Sequence, residues 1–158
     1  MPGSYLLDTS ALLAHYRDEA GAGQVQSIFE SDQDDVLVAS VSLVELARRL
    51  RDLGVDPEEA RGVVQRYLQA VTAVVPIDTG VALQAWDLLE VMPARLPLVD
   101  SLIAAAARSR EARLVHRDSH MRAIPTKWLR QVDLDSPHAP KPAHGKQQPT
   151  RQQKKDSR

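Results

Sequence analysis

Apolar residues along the chain alternate between two periods. Short, partly β-branched runs at residues 5–7, 36–39, 73–77 and 114–116 are bounded by polar or acidic residues, as buried strands are. Between them, residues 12–16, 22–30, 43–53, 58–71, 81–91 and 98–107 carry apolar side chains at helical spacing. Val132 and Leu134 alternate with polar neighbours and predict a fifth, short edge strand. Asp56-Pro57-Glu58-Glu59 supplies an N-cap, a proline at the first helical position and acids in the first turn, and Gly54 closes the preceding helix. Strands that take turns with helices imply right-handed crossovers, and so a mostly parallel sheet with helices on both faces. No internal repeat is visible.

Composition divides the chain in two. The net charge of −1 over 158 residues averages unlike pieces: residues 137–158 hold six Lys/Arg and one acid, +5, and residues 1–136 carry −6. The C-terminal piece has four prolines, four glutamines and no large apolar residue. It cannot bury enough surface to offset its ordering entropy, so residues 137–158 are expected to be a disordered basic tail on a single domain, 1–136. Cysteine is absent, which excludes zinc fingers, thiol nucleophiles and disulfide scaffolds and fits a reducing compartment. Apolar runs fall far short of the roughly 18 residues of a membrane span, and Met-Pro-Gly-Ser lacks the regions of a signal peptide. The expectation is a soluble cytoplasmic chain with no membrane partner.

In parallel sheets chemistry sits beyond the carboxyl ends of the strands, which turns many acids into a short list. Asp8 directly follows the first strand in Tyr-Leu-Leu-Asp-Thr-Ser-Ala-Leu, and Asp118 follows the fourth in Leu-Val-His-Arg-Asp. Glu45 lies near the start of the helix after the second strand, and Asp100 opens another helix. All four can converge on one end of the sheet. Each also has a purely structural alternative. Ser42 with Glu45 has the spacing of a capping box. Asp100 could complement a helix dipole, worth about 0.3–1 kcal/mol, and Asp8 or Asp118 could cap a turn. Carboxylates crowded together raise one another's pKa unless a cation offsets them, and an oxygen-rich site favours Mg²⁺ or Mn²⁺, one ion or two. Two such ions can activate water and stabilise the leaving oxygen in attack on a phosphodiester.

The segments LLDTSALLA with Asp8, SLVELARRL with Glu45, LPLVDSLIAAAA with Asp100 and LVHRDSHMRAIP with Asp118 resemble, in order and spacing, the PIN-domain family and its VapC-type toxin ribonucleases. The resemblance covers residues 4 to about 130. It implies an α/β/α three-layer sandwich around a mostly parallel four- or five-stranded sheet, and metal-dependent cleavage of single-stranded RNA. It further implies that Asp8, Glu45, Asp100 and Asp118 are catalytic and hold Mg²⁺ or Mn²⁺, that Thr9 or Ser10 orients a ligand or water, and that a toxin homodimer is neutralised by a small antitoxin. The chain departs from the family at Met121, where an aromatic is common, and in its long tail.

Other chemistries fit less well. His116 and His120 are four apart, but His116 falls in a strand and the Glu of a His-Glu-x-x-His zinc motif is missing. Gly-x-Ser-x-Gly is absent, and the seven glycines are scattered rather than clustered around phosphates. An acidic site must still attract a polyanion, and Arg48 and Arg117 are the candidate phosphate contacts. Six aromatics are too few for an extended stacking platform, so RNA reading should be shallow, confined to a few nucleotides in a loop or single strand. The remaining alternatives are a PIN-type nuclease in RNA processing or on DNA, and a catalytically silent module that binds RNA or protein.

Overall fold

A computed structural model describes residues 2–136; the expected basic tail, 137–158, lies outside them. The described residues run β1 (Ser4–Leu7), α1 (Thr9–Tyr16), α2 (Ala22–Phe29), β2 (Asp35–Ala39), α3 (Ser40–Asp52), α4 (Pro57–Ala70), β3 (Ala73–Val75), α5 (Thr79–Val91), α6 (Leu98–Ser109), β4 (Arg113–His116), α7 (Ser119–Arg122) and β5 (Gln131–Asp133). The strands form one parallel sheet in the order β3-β2-β1-β4-β5.

Alternate side chains of each strand feed two cores, which is why the strands read as nearly continuous apolar runs. Leu6, Leu37, Ala39, Val75 and Leu114 pack with α5 and α6 on one face, where Ala104 to Ala107 are fully buried. Leu7, Val36, Val38 and Val115 pack on the other with Leu12, Val25, Leu46, Leu50 and Val63. The result is the expected α/β/α sandwich. Asp56 caps α4 by accepting from the Glu58 and Glu59 N–H groups, and Gly54 takes the left-handed φ of 78° that follows α3. Gly21, at φ 92°, leaves room for Leu134, which a Cβ there would approach to 2.7 Å. That contact fastens the end of β5 to the α1–α2 junction.

Several boundaries differ from the hydrophobic pattern. α1 starts at Thr9 and α3 at Ser40, each three residues before its apolar period begins, and β3 stops at Val75. The four-residue α7 has no counterpart in that pattern. Topologically, β1 leads outward to β2 on one side, and the α5–α6 crossover returns the chain to β4 on the other. The strand order therefore reverses between β1 and β4, which opens a crevice beyond their carboxyl ends.

Candidate metal and nucleic-acid site

Asp8 continues β1 by donating its N–H to the Val115 carbonyl at 2.9 Å, then turns into α1 as its N-cap. Its carboxylate accepts from the Ser10 N–H at 3.1 Å and the Ser10 hydroxyl at 2.5 Å. The same hydroxyl accepts the Arg117 N–H at 2.9 Å, so Ser10 ties the ends of β1 and β4 together. Asp8 is buried, and desolvation pushes its pKa up to about 6 against the lowering effect of Ser10, with repulsion from Glu45 and Asp118 adding to the rise.

Glu45 lies on the second turn of α3 and accepts a 2.9 Å hydrogen bond from the Thr9 hydroxyl. The capping-box alternative fails here. Because α3 begins at Ser40 with Ala39 as its N-cap, Ser42 is already inside the helix, and its buried hydroxyl has no partner among the described residues. Asp100 stands in the first turn of α6, as the dipole alternative requires, yet it is buried and faces the other acids. Burial, then Asp8, Asp118 and Glu45, push its pKa up to about 7, and His120 opposes them. Asp118 caps α7, accepting the His120 N–H at 2.7 Å.

The four carboxylates line one cavity of about 400 Å³ with Thr9, Ser10, Arg49 and His120, and Leu13, Pro97, Leu98 and Val99 form its apolar lip. Leu98 is 67% exposed, a large apolar side chain at the mouth of a charged site. Arg49 is the charged lining residue that the sequence pattern does not single out, whereas His120, set aside as half of a zinc pair with His116, lines the cavity without it. Arg49 is signalled only by its position one turn after Glu45 on the same helix face. Arg48 is exposed on α3 and does not line the cavity. Arg117 turns its guanidinium to Asp135 at 2.8 Å and Glu19 at 2.9 Å, while Arg122 pairs with Asp133. His116 is buried beneath the rim. Its Nδ1 accepts the Asp118 N–H at 3.2 Å and its Nε2 meets the Gln131 carbonyl at 2.7 Å, which fixes the neutral tautomer and agrees with a pKa lowered by burial. Met121 is fully buried in the α5–α6 core, so its departure from the common aromatic is a packing matter.

A model of the PIN domain matches residues 5–127. The chain belongs to the PIN-domain family. No curated protein matches it. Among solved structures it is similar to a chain of VapBC2 from Rickettsia felis, at 18% identity and a TM-score of 0.66 over 82% of this chain and 98% of that one. A chain of VapBC from Salmonella typhimurium gives 20% identity and a TM-score of 0.66 over 84% and 98%. VapC20 from Mycobacterium tuberculosis, described as a Sarcin-Ricin loop cleaving toxin, gives 20% and 0.61 over 75% and 93%. At these identities the likeness is one of fold.

PIN domains imply a divalent cation, and the donors of this PIN domain fit one. Among the described residues no Lys or Arg comes within ion-pairing distance of Asp8, Glu45, Asp100 or Asp118, so burial and then mutual repulsion, which raise two of their pKa values, meet no fixed basic counter-charge beyond His120. Oxygen donors of this kind suit a hard ion. No helix among the described residues is long and apolar enough to cross a membrane.

Proposed function

We propose that this PIN domain is a metal-dependent endoribonuclease that cuts single-stranded RNA or an RNA loop and acts as the toxin of a toxin-antitoxin pair. The observation that carries the proposal is the meeting of four carboxylates, from the ends of two strands and the starts of two helices, in one cavity at the reversal of strand order. Asp8, Glu45, Asp100 and Asp118 would hold one or two Mg²⁺ or Mn²⁺ ions. When bound, such ions supply Lewis acidity to the phosphodiester and activate water for in-line attack.

The side chains divide the remaining work. Thr9 holds Glu45, and Ser10 holds Asp8 against the β4 end, so neither acid has to be ordered when substrate arrives. Arg49 contacts phosphate from inside the cavity and Arg48 adds positive charge near it, while Arg117, paired with Glu19 and Asp135, contributes less. The apolar lip at Pro97 and Leu98 gives a sugar or base a surface to rest on, consistent with shallow reading of a few nucleotides. The partners would be a small antitoxin and a second copy of the chain, in the cytoplasm. The fold shared with chains of VapBC complexes supports the antitoxin, and VapC20, described as a Sarcin-Ricin loop cleaving toxin, is a protein of the same fold that cleaves a nucleic-acid loop.

Induced expression tests the toxin role. Wild type is expected to arrest growth and Asp8→Asn to leave it unimpaired at equal soluble expression. Unimpaired growth with the wild type would favour an RNA-processing or DNA-directed nuclease, and purified protein that binds RNA without cutting it would favour a silent module.

A further inference from the structure

The acid cluster contains a donor of a different kind. His120 sits in the first turn of α7, where the hydrogen bond from its N–H to Asp118 sets the direction of its side chain. Its Nδ1 lies 3.2 Å from Asp118 Oδ1 and 3.9 Å from Asp100 Oδ2. One ligand atom from each of Asp100, Asp118 and His120 falls within 4.8 Å of the other two. Donors facing each other across an ion at about 2.1 Å stand about 4.2 Å apart, so small side-chain movements close the three onto one ion.

The two histidines flanking Asp118 are not equivalent. Both ring nitrogens of His116 are engaged, by the Asp118 N–H and by Gln131, which leaves it no lone pair for a ligand. The His120 ring is half exposed and directs Nδ1 at the carboxylates, with no partner there but the carboxylates themselves. A histidine that merely closed a turn would not approach the acid from α6 as well as its own cap.

We propose that His120 is a nitrogen ligand of the divalent ion held by Asp100 and Asp118, and that it biases this site toward Mn²⁺ over Mg²⁺. Imidazole suits transition ions, whereas Mg²⁺ demands oxygen donors and retains its waters. The proposal rests on the reading of the cavity as a divalent-cation site, and its test separates the two.

The test is titration of the full chain with MnCl₂ and with MgCl₂ by calorimetry, paired with pulsed electron spin resonance of the Mn²⁺-loaded protein, for wild type, His120→Ala and His120→Gln. Wild type is expected to show ¹⁴N coupling to bound Mn²⁺ and a Mn²⁺ affinity at least about tenfold above that for Mg²⁺. Both variants should lose the nitrogen coupling and about tenfold or more in Mn²⁺ affinity, with Mg²⁺ affinity changed less than about threefold. Mn²⁺ binding without nitrogen coupling, or with affinity unchanged in both variants, overturns the role of His120 and leaves the carboxylate site standing. Failure of wild type to bind either ion overturns both. Because His120 is exposed, thermal melting should show the variants folded as wild type is.

Discussion

Thr9 and Glu45, 36 positions apart, are joined by a 2.9 Å hydrogen bond from the threonine hydroxyl to the glutamate Oε2. The bond links the residue after Asp8 to the helix that follows β2, and so couples two of the four acids through the backbone of α1. Thr9→Val keeps the shape and removes the donor. It is expected to cost about 1 kcal/mol of stability in chemical denaturation. Cleavage should fall between about threefold and a hundredfold as Glu45 loses its fixed position. Thr9→Ser should restore both, and a valine variant that cuts like wild type would remove Thr9 from any positioning role.

The raised pKa values of Asp8 and Asp100, about 6 and about 7 against an ordinary 3.8, make stability depend on pH in a particular sense. The folded chain binds these protons more tightly than the unfolded one, so without metal their cost is absent below about pH 4, grows between about pH 4 and 7, and is complete above about 7. His116, held neutral by burial, acts oppositely as the pH falls through its ordinary 6.5. A difference between proteins cancels its effect. In chelator, Asp8→Asn is expected to be more stable than wild type at pH 8. The gain should be no more than about 3 kcal/mol, because a tenfold change in proton affinity is worth about 1.4 kcal/mol. That advantage should shrink toward pH 5. Thermal melting at the two pH values checks it, and equal melting at pH 8 would mean that Asp8 carries no buried-charge penalty.

The arginines near the cavity should separate by what already pairs with them. Arg49 lines the cavity and forms no ion pair among the described residues, whereas Arg117 is held by Glu19 and Asp135. In RNA binding measured in chelator over a salt series, Arg49→Ala is expected to reduce the slope of log K against log salt by about 0.7, the loss of one single-strand phosphate contact. Arg117→Ala should change the slope less and lower stability by up to about 1 kcal/mol. Deleting residues 137–158, with their charge of +5, should lower the slope more than either substitution. A larger effect from Arg117→Ala than from Arg49→Ala would reverse the assignment.

Much of this arrangement is legible in the amino-acid order, because the carboxyl-end rule needs only the strands and their sequence. Asp8 and Asp118 are placed by the apolar runs they terminate, and β5 by the alternation of Val132 and Leu134. What escapes depends on shorter or longer range. A four-residue helix such as α7 shows no periodicity, so nothing in the sequence orients His120 toward Asp100. The start of α3 is hidden because β2 passes into it at Ala39–Ser40 without a loop, and the Ser42–Glu45 spacing then imitates a cap. Arg117 reaches Glu19, 98 positions away, through tertiary packing that no local pattern encodes.

If Asp8 and Asp100 serve phosphodiester cleavage through a divalent ion, single-turnover cutting of a single-stranded RNA must depend on both acids and on the metal. Wild type is expected to cut with Mg²⁺ or Mn²⁺ and to stop in chelator, while Asp8→Asn and Asp100→Asn lose at least about a hundredfold in rate although they remain folded. Cutting that survives in chelator, or proceeds at wild-type rate in both variants, would show that Asp8 and Asp100 hold no catalytic metal.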